Sequence, residues 1–145
     1  MWKTFAIDIG SFSTNALEPV GSLRVSQDGN IYKLARITTP SGSGYTKPLV
    51  VYWTSDTQVT PTTGSASMAS PKGVLVANIP QNTTAYTWIL INGITEVTAN
   101  AGYTPVVGDE VVATTNGKVA KRNTEDANAV VGVVVSTNPL KIFIK

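Results

Sequence analysis

Hydrophobic side chains in this chain fall in short runs that alternate with polar positions, and turn residues rather than helical stretches separate them. The strongest run is residues 86–91, YTWILI, which is aromatic and β-branched and carries no charge. Before it, Val74, Val76 and Ile79 form an apolar segment that ends at Pro80. After it, Asn92-Gly93 suits a two-residue turn whose central residues both need positive φ. Residues 94–98 then return with apolar and polar side chains in alternation. The pattern predicts three consecutive strands over residues 73–98, with Trp88 and Ile91 as core anchors.

The same reading extends in both directions. Residues 22–26 alternate, Asp28-Gly29 makes a tight turn, and residues 31–37 return. That hairpin puts Ile31, Lys33, Ala35 and Ile37 on one face and Tyr32, Leu34 and Arg36 on the other. Residues 49–54, LVVYWT, carry large side chains on both faces and predict a strand covered on both sides. Downstream, residues 109–114 and 118–121 flank an Asn116-Gly117 turn. Residues 130–135, VVGVVV, read as a buried strand in which Gly132 marks a bulge or a close approach. Asn138-Pro139 turns the chain into a final amphipathic strand whose Lys141 and Lys145 face water. Between these, residues 122–128 are polar, with room for one helical turn. About ten short strands and no amphipathic helix predict an all-β domain, a small barrel or sandwich.

Two stretches depart from the pattern. In residues 1–20, Trp2, Phe5, Ile7, Ile9 and Phe12 alternate with polar residues before small residues break the run. The expected division is an extended arm, 1–20, and one domain, 21–145. Large aromatics at a terminus are costly to leave in water, so the arm is expected to insert into a neighbour through Trp2, Phe5, Ile7 and Phe12. The alternative is an N-terminal edge strand of the same sheet. Residues 55–72, SDTQVTPTTGSASMASPK, have almost no hydrophobic pattern. They are expected to form a surface loop ordered by a partner, with Val59 and Met68 as its apolar contacts.

Composition narrows the function. Charged residues make up 14% of the 145 positions against roughly 25% in ordinary soluble domains, which suits docking onto a large partner. Eleven Lys and Arg against nine Asp and Glu are scattered, so a nucleic-acid partner is not expected. The chain has no Cys and no His, which excludes Cys/His zinc sites, thiol nucleophiles, Ser-His-Asp triads and disulfides. No apolar run approaches the roughly 18 residues of a membrane span, and the first ten residues lack a signal-peptide pattern. No membrane partner is expected, and synthesis in a host cytoplasm without secretion is.

Candidate chemistry is sparse. Asp109-Glu110 and Glu125-Asp126 are adjacent carboxylates, and neighbours along a strand point to opposite faces, so a shared substrate or cation is not expected. Residues 6–14, AIDIGSFST, resemble the first phosphate loop of actin-like ATPases and sugar kinases. Those enzymes need a second loop across a two-domain cleft, and no such loop is visible in this chain. Trp53, Trp88, Tyr52 and Tyr86 are a candidate sugar-stacking platform, although aromatics in strands more often fill a core or an interface. No cofactor and no enzymatic activity are expected.

From residue 73 onward the order of features is similar to the small head decoration, or cement, proteins of tailed bacteriophages. The residues carrying it are Ile79-Pro80-Gln81-Asn82, Tyr86-Thr87-Trp88, Gly93, Gly108-Asp109, Gly117, Val131-Gly132-Val133 and Ile142-Phe143-Ile144. Thr87 stands where that family often has Gly. The resemblance implies a β-rich virion protein on the capsid exterior. It implies self-association there as a trimer or dimer, the major capsid protein as partner, and no catalytic residues. A tail, baseplate or head-fibre subunit, or a carbohydrate-binding module, stays open beside that reading.

Overall fold

A computed structural model describes residues 6–63, 70–122 and 130–144. The fold is all-β, as the hydrophobic pattern predicts. Eleven strands follow in order: β1 (Phe12–Ser13), β2 (Leu23–Val25), β3 (Ile31–Thr38), β4 (Leu49–Trp53), β5 (Val59–Pro61), β6 (Lys72–Leu75), β7 (Thr84–Glu96), β8 (Glu110–Ala113), β9 (Val119–Lys121), β10 (Val130–Thr137) and β11 (Leu140–Ile144). They pair antiparallel along β5-β4-β6-β7-β11-β10-β8-β9, with β1 and β3 also on β7 and β2 on β3. The sheet curls into a half-barrel, and two loose contacts bring its ends round. Arg36 N–H donates to Thr57 O at 2.8 Å beside a bridge between Arg36 and Gln58, so β5 meets β3. Asn100 N–H donates to Val119 O at 2.7 Å and Val119 N–H to Thr98 O at 2.9 Å, so β9 meets the segment after β7.

β7 is the shared wall, and here the structure corrects the expectation. Asn92-Gly93 is not a turn: β7 runs unbroken for 13 residues through it. Its first half pairs with β3, and residues 93–96 pair with β11. The reason is Asn30, immediately before β3. Its Nδ2 donates to Ile94 O at 3.1 Å and its Oδ1 accepts from Ile94 N–H at 3.1 Å, so one amide side chain replaces a strand neighbour. Gly93, at φ +133°, lets the backbone approach it; a Cβ there would collide with Asn30 Oδ1.

Two apolar clusters follow from strand alternation. Ala35, Ile37, Val51, Leu75 and Ile89 point into one face of the curled sheet. Leu34, Val50, Val74, Trp88 and Leu90 point the other way and meet Val111, Val134, Ile142 and Ile144. The prediction that residues 49–54 are covered on both sides holds, since Val50 and Val51 are each fully buried. Trp88 anchors the core as expected, whereas Ile91 is only half-buried.

Other turns hold. Residues 26–30 close the β2–β3 hairpin, with Gly29 N–H donating to Ser26 O and Ser26 N–H to Asn30 O. Asn116 and Gly117 both take positive φ between β8 and β9. Gly132 gives both the bulge and the close approach: the β10–β8 register shifts there, and a Cβ would strike Phe143 O. The helical turn suggested within 122–128 lies outside the described residues apart from Arg122.

Three expectations are corrected. Residues 130–135 are buried on one face only, with Val133 and Val135 turned outward. Residues 55–72 are not all loop, because β5 lies within them. And residues 6–20 do not extend from a separate body. Ile7 sits in the core, and its carbonyl accepts from Trp88 Nε1 at 2.6 Å and from Arg24 at 2.9 Å. Four residues on, Thr87 Oγ1 donates to Ser11 O at 2.8 Å and Phe12 pairs with Thr87. A buried indole N–H needs an acceptor, and the N-terminal segment supplies it.

Candidate functional site

The outward face of β7, β11 and β10 carries a row of exposed apolar side chains. Ile142 and Ile144 turn into the core, so Phe143 between them turns out. Phe143 is in register with Ile94 on β7 and with Val133 on β10. The three make a row across three strands, exposed by 49% at Ile94, 39% at Phe143 and 38% at Val133. A bulge between Val134 and Ser136 then leaves Val135 without a partner on β11 and turns it to the same side, 40% exposed.

The turn after residue 105 extends this surface. Gly108 N–H donates to Val134 O and Val134 N–H donates to Asp109 O, both at 2.9 Å, which fixes the turn against β10. Val106 and Val107 at its tip are exposed. Asp109 holds the turn from inside, accepting from Tyr103 Oη at 3.0 Å and from Val106 N–H at 3.1 Å, with Lys121 Nζ at 3.5 Å. Burial, the Asp109 hydrogen bond and the Asp109 charge together push the Tyr103 phenol up to about 12. Burial works against the Asp109 anion, yet Tyr103, the Val106 amide and Lys121 hold its carboxyl below the usual range.

Charge borders the row. Glu96 stands opposite Lys141 one step along β7 and β11. On the far side Val133 stands opposite Glu110, which pairs with Arg122. A depression of about 550 Å³ lies between the 26–30 turn and the row, with Ile94 and Phe143 in its wall and Asp28, Glu96 and Lys141 at its rim. Ser26 and the Asn30 amide hydrogen-bond to Asp28 and lower its pKa, so that rim carboxylate stays charged. An apolar centre inside a charged border, on a stiff sheet, is the anatomy of a protein-docking surface.

The residues singled out from sequence fall elsewhere. Ile7 and Val59, 3% and 4% exposed, are core residues and offer a partner nothing; that expectation is corrected. Phe12 is half-buried against the second cluster through β1. Trp2, Phe5 and Met68 lie outside the described residues. Asp109 and Glu110 turn to separate partners, as alternation requires; Glu125 and Asp126 lie outside the described residues. Asp8 to Ser11 form a turn, with Ser11 N–H donating to Asp8 O at 3.0 Å. The sugar-stacking platform does not assemble: Trp88 is buried beneath Arg24, and the face of Trp53 carries Lys33 Nζ at 4.6 Å. Among the described residues no group of three acidic side chains is placed to hold a metal ion.

Ile94, Phe143, Val133 and Val135 were missed because a run such as VVGVVV reads equally well as a strand buried on both sides. The available signal was partial: antiparallel sheets commonly keep one face in water, so an all-apolar strand in such a sheet can turn one side outward. Compared with family models, curated proteins and solved structures, the chain matches none.

Proposed function

We propose that this protein decorates the head of a tailed bacteriophage, binding the major capsid protein on the capsid exterior through the Ile94–Phe143–Val133 row. The single observation that carries the reading is that row: in-register apolar side chains half out of water on a stiff sheet, bordered by Glu96, Lys141, Glu110 and Arg122. Contiguous exposed apolar side chains rimmed by polar residues are a common mark of an interaction site. The order of motifs from residue 79 onward supports the same assignment apart from Gly93, which lies inside β7 and makes no turn, and the scarcity of charge supports it too. A modest site suffices for the role, because many copies on a fixed lattice reinforce it together.

The test mixes purified protein with expanded, decoration-free heads of the virus that encodes it and sediments the heads. Saturable binding at a fixed ratio to capsid protein is expected. Phe143→Asp places a charge at the centre of the row and should weaken binding by about 30-fold or more, the scale of a hot-spot residue. Lack of binding by the unaltered protein, or full binding by the variant, refutes the proposal.

A further inference from the structure

The second feature is an edge. In the curled sheet β5 is met by β3 and β9 by residues 98–100. β2 pairs with β3 alone, and among the described residues no strand lies on its other side. The hydrogen-bond parity of β2 is fixed at both ends. Ser22 O accepts from Leu34 N–H at 2.9 Å, and Ser26 N–H donates to Asn30 O at 2.9 Å. Antiparallel ladders alternate, so Ser22, Arg24 and Ser26 address β3, and the N–H and C=O groups of Leu23 and Val25 point away from it.

Proteins usually protect such an edge with an outward charge, a proline, a covering loop, a short strand or an inward-pointing charge. Among the described residues β2, three residues long, has no outward charge, proline or covering loop. Its one charge, Arg24, is turned inward: it donates to Ile7 O at 2.9 Å, pairs with Glu18 at 3.3 Å and lies 4.5 Å from the centre of the Trp88 ring. The residues with free backbone groups also carry the most exposed large hydrophobic side chains among the described residues, Leu23 at 65% and Val25 at 66%.

We infer that two copies of this chain associate about a twofold axis by pairing their β2 edges antiparallel. A second copy fits because the edge complements itself. With Arg24 at the axis, Leu23 faces the partner's Val25 and Val25 faces the partner's Leu23. Each such pair exchanges two hydrogen bonds, so all four free donors and all four free acceptors of the two edges are used. The same register sets Leu23 beside the partner's Val25 on the outer face, an apolar cross-strand pair repeated by symmetry. Arg24 does not oppose the pairing, since its charge is already neutralised by Glu18 on the inner side. The inference holds whether or not the chain decorates a capsid, because it uses a different surface.

Sedimentation equilibrium over a wide concentration range reads the mass, and amide hydrogen exchange by NMR reads the edge. Expected is a reversible rise toward twice the 15.3 kDa chain mass, with the Leu23 and Val25 amides becoming protected as the dimer forms. The double variant L23K/V25K keeps the fold, because both side chains are exposed, and should dimerise at least about tenfold more weakly. A chain that stays monomeric at millimolar concentration overturns the inference. So does a trimer, or a dimer in which those two amides exchange as fast as at high dilution. A dimer untouched by L23K/V25K but abolished by Phe143→Asp assigns self-association to the apolar row and equally refutes β2 pairing.

Discussion

Replacing Gly93 by Ala tests how one strand serves both halves of the sheet. Two costs separate cleanly. The first is backbone strain: Gly93 sits at φ +133°, where an L side chain costs about 1–3 kcal/mol. The second is Asn30. The new methyl would collide with Asn30 Oδ1, and that side chain makes two hydrogen bonds to Ile94, each of 3.1 Å. Displacing it loses two bonds worth about 1 kcal/mol each and strands a 9%-exposed amide. The sum is about 3–5 kcal/mol. Urea unfolding of four proteins measures it: unaltered, Gly93→Ala, Asn30→Ala and the double variant. In the Asn30→Ala background the strain and a tight 3.1 Å approach to the Cα of residue 30 should remain, so Gly93→Ala should cost about 2 kcal/mol less there. A cost below about 1 kcal/mol in the unaltered background, or an equal cost in both, would refute the claim that Asn30 takes the place of a strand neighbour at Ile94.

Further outcomes follow from the same contacts. Trp88→Phe removes the N–H that binds Ile7 O at 2.6 Å and opens space in the first cluster. It should cost about 2–4 kcal/mol in chemical denaturation and speed proteolysis within residues 6–12. Gly132→Ala drives a methyl onto Phe143 O and should destabilise the β10–β11 pair by about 1–3 kcal/mol, seen as faster amide exchange on both strands. Tyr103 has an ordinary phenol pKa of 10.0 when unfolded and about 12 when folded. The unfolded chain therefore loses this proton first, so the Tyr103 contribution is intact below pH 10 and is lost as pH rises toward 12. One tyrosine absorbance change near pH 12 should vanish in Tyr103→Phe, and a Tyr103 that ionises near pH 10 would contradict its link to Asp109.

Alternation and turn chemistry made the body of this fold legible. Nearly every run of two-period apolar residues is a strand, and Asp28-Gly29, Asn116-Gly117 and Asn138-Pro139 all turn the chain. The failures share a cause. Asn92-Gly93 has the composition of a turn, but the deciding partner, Asn30, lies 64 residues from Ile94 in the chain. Val59 looked like a lone apolar residue in a polar loop because most of the core cluster it joins, Ile37, Leu75 and Ile89 among its members, is distant in sequence. The N-terminal aromatics suggested an arm reaching outward; its residues 7–12 are held on the sheet by the buried N–H of Trp88 and by pairing with β7, while Trp2 and Phe5 lie outside the described residues. Which face of an all-apolar strand stays open is likewise set by what remains to cover it, so the apolar row appears only in three dimensions.

Cryo-electron microscopy of heads reconstituted with this protein tests the central claim most directly. The account predicts density for a β-rich body on the outer surface of the shell, with Phe143, Ile94 and Val133 packed against the capsid protein. Density at the tail or inside the shell, or a bound body whose β7–β11–β10 face looks out into solvent, would contradict it.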